Sequence, residues 1–363
     1  MTFQFLQVQT KDAVHVRADH LRDFVSQLIY QLGVSIEDAR IAADVLVTAD
    51  LRGVDSHGVS VNLKSKYIPG LTEGHINPTP NEQVVQETQS TALIDGDRGL
   101  GHPTVFRGME LAIRKARQTG VGVVSIKNST HNGMIGYYPQ MAVREGMIGV
   151  TMTAGGSPTV LPTFGAKPML STNPLSIAAP ASLHPAFVLD MATSVFANGK
   201  ASIASLLGVS LLDGWTVDEN LLPTTDPTKH PLFWLPLGGG TVDLGGHKGF
   251  GLALAVEILC SVLSGHGYCG TVPQDTEFQS HFLMAIDIAA FRPIEEFKRM
   301  MDEMIDEHKR CPSMPGHDQV YIAGEPEWLL YNKRLATGIP LHKDVFEWLR
   351  DTGGQLGVDI ALT

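Results

Sequence analysis

Residues 121–152 constrain the fold most, because the hydrophobic period changes more than once within them. Residues 121–126 read as a strand, 128–132 as a polar loop, 135–145 as a helix closed by Gly146, and 147–152 as another strand. A strand–helix–strand run excludes an all-helical bundle and an all-strand sandwich, and points to a mixed α/β architecture. It also sets His131 in the loop ahead of the helix, held between regular elements.

The flanking sequence supports this reading. Leu21, Phe24, Val25, Leu28 and Leu32 recur at helical spacing and stop at Gly33. Ser35 then caps a second helix, with Asp38 three residues on, and Ile41, Ala42, Val45, Leu46 and Ala49 form its apolar stripe. Gly53 ends that helix, and a loop carrying His57 follows. Residues 84–95 look extended, and a helix entered through Pro103 runs to Gly120. Residues 187–191 and 282–288 read as strands, 250–263 as a buried helix and 294–310 as an amphipathic helix, while 346–349 fall in a last helix. Residues 153–174 and 208–248 are expected to be irregular.

Composition narrows the class. At about 150 residues per domain, 363 residues suggest two domains. With 43% apolar and 18% charged residues the chain is a globular protein, not a disordered one. Its net charge of −11, with no Lys/Arg block, argues against a nucleic-acid partner. Cys260, Cys269 and Cys311 are too few and scattered for a disulfide scaffold and read as free thiols. The most apolar run, 249–265, is interrupted by Glu257 and is too short to span a membrane. Met1-Thr2-Phe3-Gln4 does not open a signal peptide, so a cytoplasmic location with no membrane partner is expected.

Familiar cofactor signatures are missing. Gly96-Asp97-Arg98-Gly99-Leu100-Gly101 lies between a strand and a helix, but Thr104 stands where the dinucleotide fingerprint needs its third glycine. A glycine turn feeding a helix explains it better. There is no phosphate-binding loop, nucleophile elbow, zincin motif or Cys-x-x-Cys pair. What remains is a set of histidines on glycine-flanked loops: His57, His131, His247 and His317. Such histidines are placed to move a proton near neutral pH, although most histidines are structural or superficial. Lys248, beside glycine-rich backbone, suits a phosphate, and an idle surface lysine fits equally. The residues alone thus reach a soluble α/β enzyme with histidine loops.

The ordered set of segments resembles the type-2 malate/L-lactate dehydrogenases, a family that includes L-sulfolactate dehydrogenase, ureidoglycolate dehydrogenase, 2,3-diketogulonate reductase and Δ1-piperideine-2-carboxylate reductase. The stretches that carry the likeness are Asp55-Ser56-His57-Gly58, Asn128-Ser129-Thr130-His131-Asn132-Gly133, Thr172-Asn173-Pro174, Leu189-Asp190-Met191-Ala192, Gly246-His247-Lys248-Gly249 and Pro315-Gly316-His317. They run through nearly the whole chain. The resemblance implies a mixed α/β, non-Rossmann fold of the L-sulfolactate dehydrogenase type, with a largely antiparallel sheet in the cofactor domain (121–324). It implies a second domain built from both termini (1–120 and 325–363), and a homodimer.

The same resemblance implies NAD or NADP as cofactor and a small 2-oxo or 2-hydroxy acid as substrate. A carbonyl that takes hydride builds negative charge on oxygen and needs a proton. The likeness puts that role on His131 or His57, with the lean toward His131. Cofactor contacts carry over to Gly155, Asp190, Met191, Ala192, Lys248, Gly249, Gly316, His317 and Asp318. No metal ligand is implied. The family often has an arginine four residues after the Ser-His-Gly histidine; here Val61 stands there, in a loop one or two residues longer, so Arg52, Lys64 and Lys66 become the candidates for the substrate carboxylate. Residues 205–215 look shortened. Three other readings stay open: a ketimine reductase on the same scaffold, a non-catalytic nucleotide-binding homologue, and a metal hydrolase, for which no ligand spacing speaks.

Overall fold

The computed structural model describes residues 4–268, 271, 278–358 and 361–362, so Cys269 lies outside the described residues. Along the chain run β1 (Ala13–Val16), α1 (Ala18–Gln31), α2 (Ile36–Leu51), α3 (Ile68–Thr72), β2 (Gln83–Glu87), β3 (Thr91–Asp95), α4 (Gly101–Thr119), β4 (Val121–Ser129), α5 (Pro139–Arg144) and β5 (Met147–Gly155). They are followed by β6 (Leu175–Ala179), β7 (Phe187–Met191), α6 (Asn198–Leu207), β8 (Thr216–Val217), β9 (Pro223–Thr224), β10 (Phe233–Trp234) and α7 (Gly246–Glu257). The chain closes with β11 (Gln279–Asp287), α8 (Ile294–Lys309), α9 (Glu325–Thr337), β12 (Ile339–His342) and α10 (Lys343–Leu356).

The central sheet has seven strands in the order β2-β3-β4-β11-β5-β6-β7. Only β3 and β4 pair in parallel; the other neighbours are antiparallel, which makes the sheet largely antiparallel and not a Rossmann sheet. The strand–helix–strand run seen in the sequence is present, but its two strands do not touch. β11, from far down the chain, lies between β4 and β5. Alternation along β11 serves both sheet faces: Leu283 and Ala285 pack with α4 residues Met109 and Ala112, while Phe282 packs with α7 residue Val256.

The two chain ends share a core. Leu21, Phe24 and Leu28 of α1 and Leu46 of α2 pack with Leu341 of β12 and Leu349 of α10. β1 pairs with β12 to close this layer. The Ser35 cap forms as expected, its Oγ accepting from the Asp38 N–H at 3.2 Å. β2, β3 and α4, although early in the chain, belong to the sheet layer beside β4.

One expectation is corrected. Residues 250–263 do not form a buried helix: α7 continues as a π-helix over Ile258–Val262, and Leu252, Leu254, Ile258, Val262 and Leu263 are exposed along one side. The glycines at 96–101 form the expected turn feeding a helix: the Gly99 N–H donates to the Gly96 carbonyl at 2.9 Å and α4 begins at Gly101. A Cβ on Gly101 would lie 2.1 Å from the Thr130 carbonyl oxygen, so the start of α4 sits directly on the loop that carries His131.

Candidate active site

Where the end of α2 meets the edge of the sheet, the chain encloses a cavity of about 620 Å³. Both histidine loops reach it. His57 lies in a 3₁₀ turn, Asp55–His57, just beyond α2. A buried ion pair anchors that turn: Arg334 of α9 holds the Asp55 carboxylate at 2.5 and 3.2 Å and donates to the Asp50 carbonyl. Asp50 is fully buried and accepts from the Val59 N–H at 2.8 Å. Burial and the neighbouring Asp55 charge push the Asp50 carboxyl well above its ordinary range.

His131 follows β4 in a turn closed by Gly133, whose φ is +72°. Its Nδ1 accepts from the Gly133 N–H at 3.2 Å and lies 2.5 Å from the Tyr67 hydroxyl. With Nδ1 occupied, Nε2 is the ring nitrogen left for chemistry. The His57 and His131 rings stack at 5.7 Å, 21° from parallel. The His57 Nδ1 lies 2.9 Å from the Ser56 Oγ. Burial, with help from the Lys200 and Lys66 charges, pushes His57 down to about 4. Burial and the nearby Lys66 charge likewise hold His131 well below the usual histidine range. Both rings are therefore neutral at pH 7.

The opposite wall is charged. Asp190, at the end of β7, accepts from the Gly136 N–H at 2.8 Å. Its carboxylate is open to the cavity but ringed by protein, which pushes it up to about 6 against the pull of that N–H and of Arg52. Arg52 is buried in the wall; desolvation lowers its pKa while the Glu327 and Asp190 charges favour its cationic form. Lys200, from the first turn of α6, lines the same region, and Asp190 and Glu327 favour its charge too.

This constellation of paired neutral imidazoles, buried cations and a carboxylate around one cavity is set on a chain of recognisable kinship. A family model described as malate/L-lactate dehydrogenase matches residues 16–350. The malate dehydrogenase of Pyrococcus horikoshii is 43% identical over 95% of this chain and 96% of that protein. The L-sulfolactate dehydrogenase of Methanocaldococcus jannaschii is 37% identical over 95% of this chain and 98% of its own. The solved structure of the Pyrococcus horikoshii malate dehydrogenase matches with a TM-score of 0.90 at 41% identity, covering 98% of this chain and 99% of that one. The chain belongs to the malate/L-lactate dehydrogenase family. It is a dehydrogenase, an oxidoreductase acting on a CH–OH group.

In this dehydrogenase the sequence-derived candidates divide. His57, His131, Arg52, Asp190, Met191 and Ala192 meet in the cavity wall. Lys64 does not: it is exposed, its ammonium 5.4 Å from the Trp348 ring centroid. Gly155 lies outside the wall. It ends β5 at φ +100°, and a Cβ there would meet the Phe278 carbonyl oxygen at 2.7 Å. Lys248 is exposed at the start of α7. Gly249 supports the wall from behind, because a Cβ on it would fall 2.2 Å from the oxygen of Leu237, a wall residue. Gly316, His317 and Asp318 form an exposed turn, where Asp318 accepts from the hydroxyl of Tyr321, a wall residue, at 3.3 Å.

Sequence reading missed Tyr67, Lys200 and Glu327. Tyr67 ends a π-helix, Val59–Tyr67, in the segment after Ser-His-Gly. Val61, in the family's arginine position, is buried with Phe196 in an apolar cluster. Lys200 and Glu327 sit on helices that begin without a strong apolar stripe. The available signals were Glu325-Pro326-Glu327, an acidic start with an early proline, and the glycines that close α6 and α9, Gly208 and Gly338. Among the described residues no group of three or more His, Cys, Asp or Glu side chains is arranged to hold a metal ion.

Proposed function

We propose that this chain is a nicotinamide-dependent reductase of small 2-oxo acids, working reversibly on the matching 2-hydroxy acids, with NAD or NADP in the large cavity. The observation that carries the reading is the stacked His57–His131 pair sharing the wall of one cavity with Arg52 and Lys200. A cavity of about 620 Å³ is within the size range of cofactor sites. Its wall also holds two buried polar atoms with no partner among the described residues, the Asn132 amide nitrogen and the Gln279 amide oxygen. One donates and one accepts, which is what a carboxamide requires.

The nicotinamide, when bound, supplies or takes up the hydride. The remaining work falls to the chain. Arg52 and Lys200 bind and orient the substrate carboxylate, Arg52 with a planar fork suited to it. His131 Nε2 donates a proton to the oxygen that gains charge as the carbonyl is reduced, and removes it in the reverse direction. His57 packs against His131 and fixes the substrate oxygen beside it. Asp190 holds Gly136 in place, and Met191 and Ala192 cover the cavity floor and exclude water.

The relatives, a malate dehydrogenase and an L-sulfolactate dehydrogenase, favour a substrate with a second anionic group. The enzyme is cytoplasmic and homodimeric in this reading; no helix among the described residues is long and apolar enough to cross a membrane. The exposed apolar side of α7 and the π-helix that continues it, through Leu254, Ile258 and Val262, is the face a second copy would cover. The test is a panel of oxaloacetate, pyruvate, 3-sulfopyruvate and a cyclic imino acid, each with NADH and NADPH. Turnover of a 2-oxo acid is expected. Turnover of the imine alone would establish the ketimine reading instead.

A further inference from the structure

His131 lies in the walls of two cavities. Behind it is a second space of about 330 Å³, lined by Lys66, Tyr67, Arg98 and Phe278, with exposed Ser65, Glu73 and His75 at its rim. Tyr67 lines this outer cavity with only 1% exposure, and its hydroxyl lies 2.5 Å from the His131 Nδ1. The Gly133 N–H already donates to Nδ1, so Nδ1 presents its lone pair and the Tyr67 O–H donates to it as well. The neutral ring therefore carries its proton on Nε2. Burial keeps the imidazolium scarce at neutral pH, so a proton lost from Nε2 has to be matched at Nδ1.

We propose that Tyr67 is the proton partner of His131, giving its hydroxyl proton to Nδ1 as Nε2 protonates the substrate oxygen. The inference rests on the 2-oxo acid reading above. Two electrons arrive as hydride from reduced nicotinamide and form the new C–H bond. The carbonyl π pair moves to oxygen, which takes the Nε2 proton; the Nε2–H bond breaks and an Nδ1–H bond forms from the Tyr67 proton. The phenolate left on Tyr67 faces the outer cavity, where Lys66 and water from the rim stabilise it. On product release water reprotonates Nε2 and Nδ1 returns its proton to Tyr67. The net consumption is one proton from solvent.

Three measurements test this. Tyr67→Phe removes one oxygen from a buried ring and should fold; nicotinamide binding, followed by quenching of protein fluorescence, should be unchanged. Its single-turnover rate with oxaloacetate, or with whichever 2-oxo acid the panel finds best, should fall about 100-fold, with little change in KM. In 15N-histidine-labelled protein, His131 of the variant should keep its Nε2–H tautomer, held by the Gly133 N–H, while the Nδ1 resonance shifts as the Tyr67 hydrogen bond is lost. In the wild-type enzyme, which needs no variant, a single-turnover proton inventory should bow, with two protons moving together. A Tyr67→Phe rate within twofold of a working wild type, or a linear or flat inventory, overturns the proposal alone. A wild type that turns over no 2-oxo acid overturns the functional reading instead.

Discussion

His57 and His131 face each other at 5.7 Å, yet their surroundings are unlike. His131 is gripped from behind by a backbone N–H and a buried phenol, which choose its tautomer. His57 leans on the hydroxyl of its own neighbour, Ser56, in a short turn at the end of α2. The turn itself is firm, since the Arg334–Asp55 ion pair holds it. The difference lies in what is fixed: a nitrogen and its proton for His131, a ring position for His57. A proton donor needs the first and a substrate contact needs only the second.

The sharpest break of this contrast is to remove each ring. His131→Ala is expected to lower kcat/KM by about 10³-fold, or about 4 kcal/mol, with nicotinamide binding retained. Equal losses for His131→Ala and His57→Ala would make the two rings a single functional unit and end the assignment of separate roles.

The next effect concerns both rings and their buried neighbours. His57 is pushed down to about 4, and His102 and His281 to about 3, each by burial first. Unfolded histidine titrates near 6.5, so below that pH the unfolded chain binds protons that the fold refuses. Stability should be intact above about pH 6.5 and fall as pH drops toward these lowered values. His102 and His281 account for about 3 kcal/mol each at pH 4. Asp190 acts in the opposite sense: raised to about 6, it takes its proton earlier when folded and opposes the loss between about pH 6 and 4, but it is one group against several. Thermal melts across pH 4–8 check the slope, and His102→Gln should flatten it. A Tm that does not change between pH 7 and 4.5 would mean these rings are not buried neutral.

How legible this was depended on the range of the contacts. Local signals placed α1 and α2, the Ser35 cap, β7 and both histidine loops close to where they lie. Family likeness pointed to the candidate cavity, because two of the segments that carry it, 55–58 and 130–133, are loops that converge on its wall. Long-range arrangement was hidden. Nothing in residues 279–287 shows that they separate β4 from β5. Lys200 and Glu327 come from helices whose partners are distant in sequence, and Tyr67 reaches His131 from the end of a π-helix, a form that no ordinary hydrophobic period announces. Lys248 and His317 look alike in sequence to the residues that converge, yet both are exposed and outside the wall, since a glycine-flanked loop signals freedom of backbone and not the direction it takes.

A further step weakens His57 itself. His57→Asn should raise KM about 10- to 30-fold and leave the single-turnover rate within about fivefold, as expected for a residue that binds the substrate equally before and during reaction. A variant that loses rate and keeps KM would move the proton to His57 and reverse the contrast.

The smallest effect is Ser56→Ala, and it is the most discriminating. The hydroxyl lies 2.9 Å from the His57 Nδ1, and its loss removes one neutral hydrogen bond, worth about 1 kcal/mol. The turn should survive, because Arg334 and Asp55 hold it through other atoms. Gly199 also packs against its backbone so closely that a Cβ there would lie 2.4 Å from the Ser56 carbonyl oxygen. With the backbone pinned, KM should rise two- to fivefold, on the order of what a weakened hydrogen bond allows, while kcat stays unchanged. If Ser56→Ala instead costs as much as Tyr67→Phe, Ser56 is setting a tautomer that the reaction uses, and His57 is as tightly specified as His131.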